Sequence, residues 1–128
     1  MTSDAVRGAI EAADVERLRS LVAREPALAG ADVACGERGQ HRVPALHLVC
    51  DAVFRGAASD AEGLAMAQVL LDAGADPERA YAKSGDTFLI AAASLGAEGV
   101  GLRLVELGVD VRARGLFAAT ALHWAALM

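Results

Sequence analysis

His47 and Cys50 stand three residues apart. On a helix that spacing brings the two side chains onto one face, one turn apart. An imidazole beside a thiol is the arrangement that turns cysteine into a thiolate nucleophile. An acyl-transfer site also needs an oxyanion donor and an acid that orients the histidine, and neither is evident around this pair. With Asp51, His41 and Cys35 the same segment offers donor types that zinc accepts. A structural zinc takes four protein ligands at regular spacings, and the two cysteines form no CxxC pair. Gly96, Gly99 and Gly101 are clustered, but no strand precedes them and no Lys-Ser/Thr follows, so they do not form a phosphate loop. Asp60, Glu62, Asp72, Asp76, Glu98 and Glu106 are spread along the chain as surface acids. The reading therefore assigns no catalytic residue, no metal and no cofactor, and keeps a His47/Cys50 enzyme as its weakest alternative.

Composition narrows the class. At 128 residues the chain can bury one core without a disulfide framework. Hydrophobic residues make up 55% of it, much of that alanine, and aromatics only 4%. Such side chains favour closely packed helices over a sandwich of strands. Twelve basic against seventeen acidic residues give a net charge of -5, and the basic ones form no stripe, which argues against nucleic acid. The first ten residues carry Asp4 and Arg7, unlike a secretion signal, and no apolar run reaches the length of a membrane span. Two cysteines without a pairing pattern suit a reducing compartment. The expectation is a cytoplasmic, all-α protein that does not bind membranes.

The elements that hold His47 recur. The segment from Ala67 to Pro77 is echoed from Gly101 to Val111, with Gly74 and Gly108 at the same place in each. A second motif appears at Pro44 to Val49, Thr87 to Ala92 and Thr120 to Ala125, anchored by Leu46, Leu89 and Leu122. The first two anchors are more widely spaced than the last two, so the unit between them holds an insertion of roughly ten residues, placed at Phe54 to Gly63. Each unit reads as a turn, a short apolar helix, a turn and a longer amphipathic helix closed by glycine in the left-handed conformation. Thr87 caps a helix through Leu89 to Ser94, and the Leu95-Gly96 step ends it. Nearer the start, Val15, Leu18, Leu21 and Val22 keep helical spacing up to Pro26. Ala29 to Val43, with Gly30, Gly36 and Gly39, is too polar and glycine-rich for a helix and reads as a long loop or extended finger.

Ser84 to Ala92, Thr120 to Ala126 and Leu70 to Asp76 resemble the ankyrin repeat, with its Gly-x-Thr-Pro-Leu-His-x-Ala-Ala turn and helix and its Leu-Leu-x-x-Gly-Ala-Asp closure. Pro44 stands in place of the family's Thr, Ile90 in place of its His, and Phe88 and Ala121 in place of its Pro. The resemblance implies an ankyrin-repeat solenoid of stacked helix-turn-helix units with an irregular second repeat. The approximate units are 4-34, 35-81, 82-114 and an incomplete 115-128. The first, which lacks the Thr-x-Leu-His motif, reads as an N-terminal cap. His47 and His123 fall at the family's Leu-His position, which implies imidazoles bonded to backbone in the neighbouring turn.

The resemblance also implies a function: a non-catalytic scaffold that binds a protein partner through its concave face and turn tips. Carried over by motif position, the partner-binding residues are Gln40, His41 and Val43 in the second unit and Lys83, Ser84 and Asp86 in the third. In the fourth they are Leu116 and Phe117, with Leu48 and Trp124 on the inner helices. Phe117 and Trp124 are the residue types that anchor interfaces, and Arg114 extends that patch. Leu122, Ala125 and Ala126 are expected to face the third unit. Apolar area at the C-terminal end invites self-association, and the insertion at 54-63 is a second candidate surface. The alternative is a fragment or regulatory module of a longer ankyrin-containing protein.

Overall fold

The computed structural model describes residues 2–35, 41–81 and 85–114, with Leu122 and Ala126. Apolar side chains at three- and four-residue spacing give six α-helices among these residues. They are α1 (Thr2–Glu11), α2 (Val15–Arg24), α3 (Ala45–Phe54), α4 (Asp60–Asp72), α5 (Phe88–Leu95) and α6 (Glu98–Glu106). The Asp14 carboxylate caps α2 through the Arg17 N–H, and α2 stops before Pro26, where a 3-10 turn (Pro26–Gly30) begins. Pro44 caps α3 with no side-chain bond. Ser59 and Glu62 form a reciprocal capping box at α4, and the Thr87 hydroxyl accepts from Ile90 N–H at α5.

The described residues are mostly helical, compatible with the all-α expectation, and carry one small sheet in addition. The stretch read as a loop or finger contains a two-stranded antiparallel sheet, β1 (Asp32–Cys35) and β2 (His41–Pro44), with Val33 opposite Val43. Val33 and Val43 are both buried, so one face of the hairpin joins the core while His41 and Arg42 face solvent. Three arginines hold its base. Arg7 donates to the Ala34 carbonyl, Arg42 to the Asp32 carbonyl, and Arg79 to the Gly30 carbonyl and the Asp32 carboxylate.

The helices pack as two rows. In one, α1 meets α3 and α3 meets α5; in the other, α2 meets α4 and α4 meets α6; and each pair in sequence, α1 with α2, α3 with α4, α5 with α6, also packs. The core runs between the rows, with Ile10, Leu18, Leu46, Met66, Leu70, Ile90 and Leu104 fully buried. Alanine and glycine let the helices approach closely. A Cβ on Gly63 would lie 2.4 Å from Val53 Cγ2.

The ends of α4 and α6 close alike. Gly74 and Gly108 both have positive φ (108° and 81°). Ala75 N–H donates to Leu70 O as Val109 N–H does to Leu104 O. The Asp76 carboxylate accepts from Glu78 N–H as Asp110 accepts from Arg112 N–H, both at 2.9 Å. α3 and α4 are longer than α5 and α6, and the connection 55–59 between the first two is longer than that between the last two. Leu122, expected to face the third unit, is 77% exposed, and Ala126 is exposed as well; Ala125 and His123 lie outside the described residues.

Candidate functional site

The residues singled out for chemistry sit on α3, the helix enclosed by α1, α4 and α5. Helical spacing aims Cys50 inward, and it is fully buried. Burial, reinforced by the Asp51 carboxylate one residue on, pushes its thiol up to about 12. A thiol that is protonated and sealed from solvent is a packing group, since the thiolate is the reactive form. Cys50 thus has neither the exposure nor the lowered pKa that favours a thiolate.

His47 is half-buried. Its ring lies against Tyr81, with centroids 5.1 Å apart and planes tilted by 36°. Burial lowers its pKa, partly offset by the Asp51 and Asp86 carboxylates. The expected bond to backbone is not made at Nδ1, which is buried with no hydrogen-bond partner. Instead the imidazole supports the neighbouring turn through Tyr81. That turn is closed by Tyr81 N–H to Asp86 O and Gly85 N–H to Tyr81 O, both 2.7 Å, with Gly85 at φ 77° and Ala80 bridged to Thr87. Among the described residues, no group of three or more His, Cys, Asp or Glu is placed to hold a metal.

The expected partner-binding residues divide. His41 is exposed on β2, and Asp86 is half-buried on the Tyr81 turn. Two others are corrected: Leu48 is 2% exposed and Val43 7%, so both pack in the core and neither presents a side chain to a partner. Leu48 is drawn inward because α3 is covered on three sides, and Val43 because its strand packs one face on the helices. Gln40, Lys83, Ser84, Leu116, Phe117 and Trp124 lie outside the described residues. Phe54, at the start of the insertion, is 58% exposed.

One feature escaped the sequence reading. Between α2 and α4 runs a groove of about 620 Å³, floored by Val22, Ala23, Pro26, Ala65, Val69 and Ala73 and edged by Arg19, Gln68 and Asp72. Small side chains facing each other across two helices leave this hollow. Its polar edges are already satisfied: Arg19 pairs with Glu16, and Gln68 donates to Asp72 and accepts from Arg103. The alanines at 23, 65 and 73 were the sequence signal, but their facing one another depends on how α2 and α4 pack.

In comparisons with known proteins, no family model matches the chain and no curated protein matches its sequence. Among the described residues, no helix is long and apolar enough to cross a membrane.

Proposed function

We propose that the chain is an ankyrin-type helical-repeat domain, and that it works as a non-catalytic, cytoplasmic scaffold for a protein partner. The observation that carries this reading is the matching closure of α4 and α6, at Gly74 and Gly108, within two rows of helices that pack neighbour on neighbour. Nearest-neighbour stacking of like units is what a repeat protein uses to build one extended binding face. The buried, protonated Cys50 further supports a role without covalent chemistry.

The binding edge on this reading is formed by the hairpin and the following turn, and the described residues that it presents are His41 and Asp86. A photo-crosslinking amino acid at position 41 tests it in the native cell. Partner capture at 41, and none from the same residue at exposed Ser20 on α2, supports the reading. Capture at 20 and not at 41 overturns it and moves binding to the α2–α4 side.

A further inference from the structure

The turn that leads into α5 is closed at Tyr81. The Tyr81 N–H donates to the Asp86 carbonyl and the Tyr81 carbonyl accepts from Gly85 N–H, both at 2.7 Å, with Gly85 making the reversal at φ 77°. Tyr81 is half-buried, and its ring lies against that of His47, centroids 5.1 Å apart. Both closing bonds therefore depend on a residue whose side chain is seated on one imidazole. Lys83, in the same turn, lies outside the described residues. The seat itself is incomplete: His47 Nδ1 is buried and has no hydrogen-bond partner among the described residues. A neutral ring leaves that nitrogen one bond short. An imidazolium carries an N–H on both nitrogens and would bury one of them, with its charge, unpaired. The charged groups that act on the ring are Asp51 on its own helix, which already accepts from Arg55 at 2.7 Å, and Asp86 on the turn. On the other elements around α3, Arg7 of α1, Asp60 of α4 and Arg42 of β2 are bonded elsewhere, and α5 carries no charged side chain.

We infer that the contact between His47 and Tyr81 is a pH-sensitive latch, which holds the Tyr81–Asp86 turn shut at neutral pH and releases it in mild acid. Desolvation outweighs the pull of both carboxylates on the ring, so the shut turn favours the neutral imidazole. In the open turn the ring meets water and takes up a proton near its ordinary value of 6.5. Acid therefore shifts the balance toward the open turn, beginning at 6.5 and ending at the lower value of the shut state. One proton is involved, so opening is favoured by at most about tenfold per pH unit across that range. A local opening is enough, because Tyr81, Gly85 and Asp86 are only half-buried while the helix beneath them is packed in the core. The consequence for binding rests on the scaffold reading: Asp86 is presented by this turn, and the latch withdraws it from the binding edge as pH falls.

Amide hydrogen exchange of the full chain at pH 7.5 and 5.5, corrected for the intrinsic rate at each pH, reads the latch at the Tyr81 and Gly85 N–H groups. The expected result is that both are less protected than the amides of α3 at pH 7.5, which marks a local opening. Their protection then falls by about three- to tenfold at pH 5.5 in the parent chain. In His47→Leu it changes by less than about twofold, since the titrating group is gone while an apolar side chain still meets Tyr81. Circular dichroism checks that the helices persist, and His47→Gln, neutral and closer in shape, gives the same comparison if the leucine variant unfolds. Three results overturn the inference: a parent turn that keeps its protection in acid, an equal loss in parent and variant, or turn amides as protected as those of α3. None of these depends on a partner, whereas crosslinking at position 41 does, so the latch and the scaffold reading fail separately.

Discussion

Cys50 and His47 owe their properties to where α3 places them. The thiol is fully buried beside Asp51, and its neutral form is the one that the fold keeps. Because its folded pKa is raised from 9.0, the stability it contributes is complete below pH 9 and declines as pH rises toward about 12. In alkylation at pH 8 read by peptide mass spectrometry, Cys50 is expected to stay unmodified in the folded chain and to react fully in denaturant. Its replacement by Ser puts an unpaired hydroxyl in the core and costs about 1–3 kcal/mol. For His47 the sign is opposite. Its pKa is lowered by burial against the weaker pull of Asp51 and Asp86, and its Nδ1 has no acceptor to receive a proton. The neutral ring is favoured in the fold, so stability is full above the ordinary pKa of 6.5 and falls as pH drops below it through the folded value. Urea midpoints measured at pH 7.5 and 5.5 are expected to differ more in the parent chain than in His47→Leu; equal differences would remove His47 as the source.

At the scale of elements, close approach and backbone conformation decide which substitutions the fold accepts. α3 and α4 meet at Gly63, where a methyl group would sit 2.4 Å from Val53 Cγ2. Gly63→Ala is expected to destabilise by about 1–3 kcal/mol, as overpacking does, and Val53→Ala on the same chain to recover most of that loss. The connection between α1 and α2 has the reverse defect: Ala13 holds φ 53°, a left-handed conformation that costs an L-residue about 1 kcal/mol. Gly96 and Gly56 take positive φ in the two later connections, and Ala13→Gly is expected to raise the melting temperature accordingly. These elements also show what was legible in the sequence. Helical spacing and the stop and cap residues placed α2, α5 and the glycine closures of α4 and α6, because those signals act within a few residues. The hairpin was read only as a finger, because its pairing depends on Val33 and Val43 sharing one buried face, which the packing of α1 and α3 against the strands provides. Leu48 and Val43 were assigned to a surface by motif position, whereas burial is set by how many neighbours an element has. The α2–α4 groove was illegible for the same reason.

Across the whole molecule, polar ties join segments distant in sequence at the ends of the helix rows. Arg79 reaches the Gly30 carbonyl at 2.8 Å and the Asp32 carboxylate. The neighbouring Glu78 carboxylate accepts from Asp110 N–H at 3.0 and 3.2 Å. One two-residue segment thus fastens the turn after α4 to the hairpin on one side and to the turn after α6 on the other. On the proposed stacked-repeat reading, stability is the sum of unit terms and contact terms, and a cut at one contact is felt locally. Removing Arg79 takes away a half-exposed ion pair, of modest worth, together with a charge-assisted bond to a backbone carbonyl, in all about 1–2 kcal/mol. Arg79→Ala is therefore expected to speed amide exchange in β1 and β2, by up to about tenfold, while leaving α5 and α6 unchanged. Glu78→Gln, acting on the other side of the same segment, is expected to loosen residues 108–112 and leave the hairpin protected. If either substitution instead accelerates exchange evenly from α1 to α6, the rows unfold as one cooperative body and the additive, neighbour-by-neighbour account of this molecule fails.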